Sequence, residues 1–186
     1  SFDKTARLWD TAGNLLATLT GHTGEVIFAI FSPDGSRLLT ASTDGSGRLW
    51  SAEGTSIATL QGHSSWMIGA SFSPDSARIV TASPDGTARL WGADGTPIAT
   101  FESHSAALYT ALFSPDGSHI VTTSDDGLVR LWRADGTYPI ELRGHSGPVT
   151  MAAFSPDSTM IVTAGTENSV RLWRIDGTLV TTLQGH

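Results

Sequence analysis

The chain has 186 residues, of which 39% are hydrophobic, so it is long enough to bury a substantial core. Its net charge of −7 and the even spacing of five of its eleven cationic side chains argue against the basic patch that nucleic acid binding requires. Its longest run of large apolar residues, VIFAIF at residues 26–31, is far shorter than the ~20 residues that cross a bilayer, which excludes a membrane span.

In chain order, residues 1–20 predict two strands, and each later segment predicts four. In the first full unit, strand a ends in the turn sequence FSPD, strand b is RLLTAS, and an Asp-Gly turn follows it. Strand c carries Arg-Leu-Trp, and a second turn at Glu53-Gly54 has the chemistry of a tight hairpin. Strand d, SIATLQ at 56–61, is the outermost. No stretch has the apolar period of a helix, so the sequence predicts an all-β protein.

These elements recur every 41 residues without an insertion or deletion. The phase is marked by an Arg-Leu-Trp triplet that ends at Trp9, Trp50, Trp91, Trp132 and Trp173, and by FSPD at Phe31, Phe72, Phe113 and Phe154. The period predicts one array over residues 1–186, with a half-unit at 1–20 and full units at 21–61, 62–102, 103–143 and 144–186.

Gly-His, then FSPD, then Arg-Leu-Trp at this spacing resembles the WD-repeat family of β-propellers. The resemblance implies four complete four-stranded antiparallel blades and an N-terminal half-blade. The family's name-giving dipeptide is present at Trp9-Asp10, whereas Ser51, Gly92, Arg133 and Arg174 follow the other four tryptophans. Because rings of this family usually close at about seven blades, we expect an open arc, a part of a larger ring, or an oligomeric ring.

The resemblance also implies a buried hydrogen-bonded tetrad of His, Ser, Asp and Trp in each blade. By position, the tetrads are His22, Ser42, Asp44 and Trp50; His63, Ser83, Asp85 and Trp91; and His104, Ser124, Asp126 and Trp132. In the fourth blade His145 and Trp173 remain, but Gly165 and Glu167 replace the Ser and the Asp, so we expect a broken tetrad. His186, Ser1, Asp3 and Trp9 are the members of one further tetrad.

Ser, His and Asp are also the side chains of a nucleophilic hydrolase, so a catalytic triad is the alternative interpretation. A triad needs one exposed nucleophile beside an oxyanion hole. This constellation instead occurs three times, with a Trp donor beside each hydroxyl, and repetition indicates a structural role. We therefore predict no catalytic residue.

Metal and cofactor sites are not expected either. The five in-phase histidines lie in different blades, which keeps them apart, and His119, in a polar turn, has no partner carboxylate at ligand spacing. The sequence contains no cysteine, which excludes disulfides and thiolate metal sites and fits a cytoplasmic location.

Residues that depart from the repeat are better candidates for binding. Trp66 is the one tryptophan out of phase, and its equivalents include Glu25. The resemblance places Trp66 and its neighbours at the mouth of the channel, where many family members hold partners. The candidate rim comprises Glu25, Ile27, Thr43, Trp66, Ile68, Pro84, Tyr109, Asp125, Thr150 and Thr166. The structural alternative is that Trp66 packs as core over a neighbouring blade.

Three functions remain open at this point. The first is a non-enzymatic scaffold that binds a protein or peptide at the rim. The second is a sensor or regulatory array joined to an effector domain outside this sequence, and the third, less favoured, is a propeller enzyme. We also expect the end blades to self-associate, or to be the cut edges of a larger propeller. The terminal blade with Met151, Ile161 and Val162 has no following neighbour in this sequence.

Overall fold

The computed structural model describes residues 1–102, 104–137 and 139–184. Within these residues, eighteen strands form five antiparallel sheets, and the structure holds no helix long and apolar enough to cross a membrane. The all-β fold expected from the sequence is confirmed. His186, predicted to complete a tetrad, lies outside the described residues.

Each sheet follows the chain as a meander, so that strands a to d lie side by side. The half-blade contains β1 (Ala6–Trp9) and β2 (Leu15–Leu19). The first blade contains β3 (Val26–Phe31), β4 (Arg37–Ser42), β5 (Gly47–Ser51) and β6 (Ser56–Leu60). The second contains β7 (Gly69–Phe72), β8 (Arg78–Ala82), β9 (Ala88–Gly92) and β10 (Pro97–Phe101). The third contains β11 (Leu108–Phe113), β12 (His119–Ser124), β13 (Val129–Arg133) and β14 (Ile140–Leu142). The fourth contains β15 (Val149–Phe154), β16 (Met160–Gly165), β17 (Ser169–Arg174) and β18 (Leu179–Gln184).

The turns between strands b and c require one residue in the left-handed region. Gly45 takes this position in the first blade with φ of 83°, and glycine adopts it without steric cost. Asn168 holds the same position in the fourth blade at 59°, and Lys4 holds it in the half-blade at 66°. Asparagine tolerates this conformation, whereas lysine is strained in it by about 1–2 kcal/mol. The half-blade therefore contains a turn less favourable than those of the complete blades.

The core lies between blades, where alternate residues of one sheet face the next sheet. We call the side of a sheet that faces the next blade along the chain its forward layer, and the other side its backward layer. In the first blade the forward layer contains Leu39, Leu49 and Leu60. They pack on the second blade's backward layer, Met67, Phe72, Ile79 and Trp91. The same packing recurs between the second and third blades and between the third and fourth. Because β-strand side chains alternate between faces, each Arg-Leu-Trp triplet sends its Leu forward and its Trp backward.

The forward layer of the fourth blade is open. Met151 is 65% exposed and Leu183 is 57% exposed, whereas Leu60, in phase with Leu183, is fully buried. The expectation that Ile161 lies on this open face is wrong. It is fully buried because its side chain points backward onto the third blade.

The a–b turns lie at one end of the blades. There, the type of contact between neighbouring blades alternates along the array. Ser76 and Ser158 take left-handed positions that glycine occupies in the first and third blades. The Ser76 hydroxyl accepts the backbone N–H of Asp34 at 3.1 Å, and Ser158 accepts that of Asp116 at 3.0 Å. Between the second and third blades, Arg78 instead donates to the Ala134 carbonyl at 2.9 Å and lies over the Phe113 ring. A serine hydroxyl therefore accepts the a–b turn amide at the first–second and third–fourth junctions, whereas between the second and third blades Ser71 Oγ accepts the N–H of Phe113 on strand a.

Candidate partner-binding rim and the buried tetrads

Each blade contains a buried hydrogen-bonded network that fixes the turn between strands b and c. In the first blade, Trp50 Nε1 donates to Thr40 Oγ1 at 3.0 Å, and His22 Nε2 lies 2.8 Å from the same hydroxyl. His22 Nδ1 lies 3.1 Å from Asp44 Oδ2. Indole, hydroxyl, imidazole and carboxylate are thus linked in one chain of hydrogen bonds.

The bridging hydroxyl belongs to a threonine, so the prediction of Ser42, Ser83 and Ser124 as tetrad members is wrong. Thr40, Thr81, Thr122 and Thr163 occupy the position in the four blades. The reason is the strand register: Leu38 pairs with Trp50, and Thr40, two residues further along β4, lies on the same face and diagonal to the indole. Ser42 lies two residues beyond Thr40, at the turn.

The three serines have a different role. Ser42 Oγ accepts the backbone N–H of Asp44 at 3.1 Å, and Ser83 and Ser124 do the same for Asp85 and Asp126. All three serines are fully buried. They close the b–c turn onto its own backbone, a local motif that serine favours. None is the exposed nucleophile that a hydrolase requires.

The fourth tetrad is intact, so the expected break is also wrong. Trp173 Nε1 donates to Thr163 Oγ1 at 2.9 Å, and His145 Nε2 lies 2.8 Å from that hydroxyl. Glu167 Oε1 pairs with His145 Nδ1. The longer acid fits because residue 165 is glycine: a Cβ there would overlap Glu167 Oε2 and would lie 2.6 Å from His145 Nδ1. The two departures from the repeat are therefore coupled through space.

The tetrad histidines of the first three blades have pKa values below that of a free imidazole. Burial lowers the pKa of His22 and His63 below the usual value, and burial together with the Arg130 guanidinium lowers that of His104. Burial raises the pKa of Asp44, but hydrogen bonds from Ser46 and Thr23 outweigh it and leave a pKa well below the usual range. The acid is thus ionised and the imidazole uncharged at neutral pH.

We expect the free energy of unfolding to fall as the pH is lowered from about 7 to about 5. An unfolded histidine takes up a proton near pH ~6.5, whereas the buried imidazoles stay neutral until a lower pH. Unfolding therefore takes up protons in this window, and acid favours it. The turn carboxylates extend the loss of stability below pH ~4. Urea unfolding at a series of pH values measures the slope. A free energy that is constant or rises towards pH ~5 would mean that the buried histidines are protonated.

In the candidate rim, backbone bonds pair the residue before strand a with the residue after strand b. Thr43 N–H donates to the Glu25 carbonyl at 3.0 Å, and the Thr43 hydroxyl accepts Glu25 N–H at 2.9 Å. Corresponding backbone bonds join Asp125 to Ala107 and Thr166 to Pro148. These bonds continue the a–b pair into the rim in three blades, and four of the ten predicted rim residues take part in them.

The second blade lacks this bond. Pro84 has no N–H to donate to the Trp66 carbonyl, and β7 begins only at Gly69. In the first, third and fourth blades strand a begins at the position of Met67. Among the described residues, no backbone N–H bonds the Trp66 carbonyl. The Trp66 side chain is 44% exposed, which does not support the alternative that it is core.

The other rim residues surround this position. Ile27 is exposed, Ile68 and Thr150 are half-buried, and the Tyr109 hydroxyl donates to Asp125 Oδ1 at 2.9 Å. Gly69 contacts the next blade, because a Cβ there would lie 3.0 Å from the Tyr109 carbonyl oxygen. Tyr109 of the third blade therefore lies next to the segment of the second blade that contains Ile68.

A cavity of about 360 Å³ adjoins Trp66 between the first and second blades. It is lined by Thr43, Asp44, Gly45, His63, Ser64, Ser65 and Trp66. Sequence reasoning missed Ser64 and Ser65, which have the composition of an ordinary turn; the out-of-phase Trp66 was the one signal that pointed to this place. Within residues 1–102, 104–137 and 139–184, no three His, Cys, Asp or Glu side chains are grouped to hold a metal ion.

The family model of the IFT122 first beta-propeller matches residues 1–186. "Nuclear distribution protein nudF 2" of Aspergillus clavatus is 50% identical over 44 residues, which is 24% of this chain and 10% of that protein. "Guanine nucleotide-binding protein subunit beta" of Arabidopsis thaliana is 50% identical over 48 residues, 25% of this chain and 13% of that protein. "Nuclear distribution protein PAC1" of Gibberella zeae is 50% identical over 42 residues, which is 23% of this chain and 9% of that protein. The aligned part of the chain spans about a tenth of the length of these relatives.

Proposed function

We propose a binding function from one premise: this chain belongs to the WD-repeat β-propeller family described by the model of the IFT122 first beta-propeller. WD-repeat propellers serve as protein-interaction scaffolds. The chain would accordingly be a non-enzymatic scaffold that holds a protein or peptide at the rim. The observation that supports this function is the exposed side chain of Trp66. The backbone carbonyl of the same residue has no N–H partner, because residue 84 is a proline. Exposed aromatic side chains are the usual anchors of an interface.

Replacing Trp66 with alanine should abolish capture of the partner while leaving the fold intact. A truncated anchor residue typically costs about 2 kcal/mol or more of binding energy, about a thirtyfold loss of affinity. Affinity capture from the source organism compares the native chain with the Trp66→Ala and Tyr109→Ala variants. Ile98→Ala is the matched control, because Ile98 is 52% exposed on the outer strand β10, away from the rim. A partner that is lost equally with Ile98→Ala would contradict binding at the rim.

Two other functions receive less support. A sensor or regulatory array attached to an effector domain is compatible with the same rim, and the full reading frame separates it from a simple scaffold. A propeller enzyme would need a reactive group at an accessible site, whereas Ser42, Ser83 and Ser124 are buried and bonded within their own turns. A cytoplasmic location is part of the proposal and agrees with the cysteine-free sequence.

Self-association of the 186-residue chain is a second part of the proposal. The open forward layer of the fourth blade borders an apolar cavity of about 240 Å³. At the other end Trp9 and Phe31 are 54% and 57% exposed, although their equivalents Trp50 and Phe72 are buried. A second copy could place its Trp9 face on this forward layer and so repeat the packing that joins the blades within one chain.

We therefore expect light scattering after size exclusion to give a mass above the 19.6 kDa of one chain. Met151→Glu places a charge on the open layer and should return the protein to the monomer, since burying an unpaired charge is strongly unfavourable. Ile57→Glu, on an exposed outer-strand position, is the control and should leave the mass unchanged. A well-folded native monomer would disprove self-association.

A further inference from the structure

We propose that the rim of the second blade binds an extended peptide segment, which pairs its main chain with Trp66 and packs an apolar side chain beside it. The inference rests on the proposed function and names the kind of partner and the contact that recognises it. Two observations carry it: the unpaired main chain of Trp66, and the apolar composition of the second blade at the rim.

The main chain of Trp66 is unpaired on both sides of its Cα. Among the described residues, neither its N–H nor its carbonyl has a hydrogen-bond partner. The equivalent Glu25 uses both groups, since its N–H donates to the Thr43 hydroxyl at 2.9 Å and its carbonyl accepts the Thr43 N–H at 3.0 Å. The carbonyls of the other two equivalents, Ala107 and Pro148, are also bonded. Trp66 therefore has one free donor and one free acceptor.

Pro84 is the cause, because proline has neither the N–H nor the hydroxyl that Thr43 supplies in the first blade. Strand a is accordingly shorter in the second blade: β7 has four residues, whereas β3, β11 and β15 have six. An extended peptide can bond both groups of one residue at once, as neighbouring strands of an antiparallel sheet do. The rim of the second blade is therefore suited to the addition of a peptide strand at Trp66.

The second blade is also the most apolar part of the rim. Its three rim residues, Trp66, Ile68 and Pro84, carry no polar side-chain group except the indole N–H. Each of the other complete blades has two polar rim residues: Glu25 and Thr43, Tyr109 and Asp125, and Thr150 and Thr166. Trp66 is 44% exposed, and the cavity of about 360 Å³ beside it has room for a side chain of the peptide. An apolar side chain on Trp66 and Ile68 would remove apolar surface from water.

Selection of short random peptides displayed on phage supplies the probe for the 186-residue chain. The native chain and the Trp66→Ala variant are panned in parallel, and peptides recovered only by the native chain are sequenced and synthesised. We expect these peptides to share an apolar residue. Replacing their amides by esters, one at a time, removes single N–H donors. We expect one position at which this change weakens binding about five- to tenfold, the usual effect of losing one hydrogen bond.

Pro84→Thr is the variant that tests the main-chain contact. It supplies the N–H and the hydroxyl that Thr43 provides in the first blade, so the chain itself would pair with both groups of Trp66. We expect the selected peptides to bind this variant about tenfold more weakly, and the critical ester to have no further effect. Pro84→Ala restores the N–H alone and should have an intermediate effect. Pro97→Thr makes the same change on the outer strand β10, and as the matched control it should leave the affinity unchanged.

Urea unfolding of each variant confirms that it is folded, and Pro84→Ala tests the carbonyl contact independently of Pro84→Thr. Trp66-dependent peptides that bind the native chain and both Pro84 variants equally well would overturn this inference and leave the scaffold function standing. Selected peptides without a common apolar residue would overturn it in the same way. Failure to recover any Trp66-dependent peptide would count against both.

Discussion

Replacing Thr81 with valine is expected to lower the free energy of unfolding by about 2–6 kcal/mol, because two buried groups each lose a partner at about 1–3 kcal/mol. Trp91 Nε1 donates to Thr81 Oγ1 at 3.0 Å, and His63 Nε2 lies 2.9 Å from it. Valine has the shape of threonine, so the change removes the hydroxyl without opening a cavity. Thr81 is fully buried, so water cannot easily replace the hydroxyl.

Ser83→Ala is the informative control for this change. Ser83 Oγ serves one backbone N–H at the edge of a turn, so its loss should cost only about 1 kcal/mol. Urea unfolding of both variants, monitored by tryptophan fluorescence, gives the two free energies. If Ser83→Ala were the more damaging of the two, the assignment of threonine as the bridging hydroxyl would be wrong.

Replacing Gly165 with serine should destabilise the native chain by about 1–3 kcal/mol, the usual cost of overpacking a filled site. The new Cβ would overlap Glu167 Oε2 and crowd the His145 ring. In the background of Glu167→Asp the same change should instead be stabilising. The shorter acid withdraws from residue 165, and serine loses less backbone entropy on folding than glycine, by about 0.4–1 kcal/mol.

The first three blades show what the double variant would regain. Asp44 accepts backbone N–H groups from Thr23 at 2.8 Å and Ser46 at 2.9 Å, besides its bond to His22. Glu167 has one oxygen, Oε2, that is buried without a partner among the described residues. A double-mutant cycle on the free energy of unfolding measures the coupling between positions 165 and 167. Additive effects would mean that the glycine and the glutamate are independent departures from the repeat.

The strand order and the phase of the blades could be predicted from the sequence because both follow from local patterns. FSPD and Asp-Gly mark turns, and the Arg-Leu-Trp triplet alternates between the two faces of strand c. The tetrad could be predicted only in part. Thr40 and Ser42 are both hydroxyl residues on one face of one strand, and the choice between them depends on which lies diagonal to Trp50 in the paired sheet.

One feature of the rim and one feature of the terminal blade depend on contacts between residues that are distant in the sequence. The pattern of residue types along the chain does not reveal these contacts. Pro84 departs from the repeat, but its effect arises at the carbonyl of Trp66, which lies in the segment that precedes β7. Ile161 belongs to the terminal blade, yet its exposure depends on the face to which it points, and the neighbouring β16 residue Val162 points the other way. The sequence located these residues without assigning their partners.

The alternating junctions at the a–b turns have a consequence for how such an array can be lengthened or shortened. If the 41-residue segment of the second blade were deleted, the turn of Asp34 would meet Gly117, which has no hydroxyl to accept the Asp34 amide. Arg78 and its contact with Ala134 would be lost with the same segment. Deleting or duplicating two consecutive blades would instead bring each turn to a partner of the correct kind. The sequence repeats every 41 residues, but the serine contacts at these turns repeat every 82 residues, so removal of the second blade alone would leave the Asp34 amide without its partner.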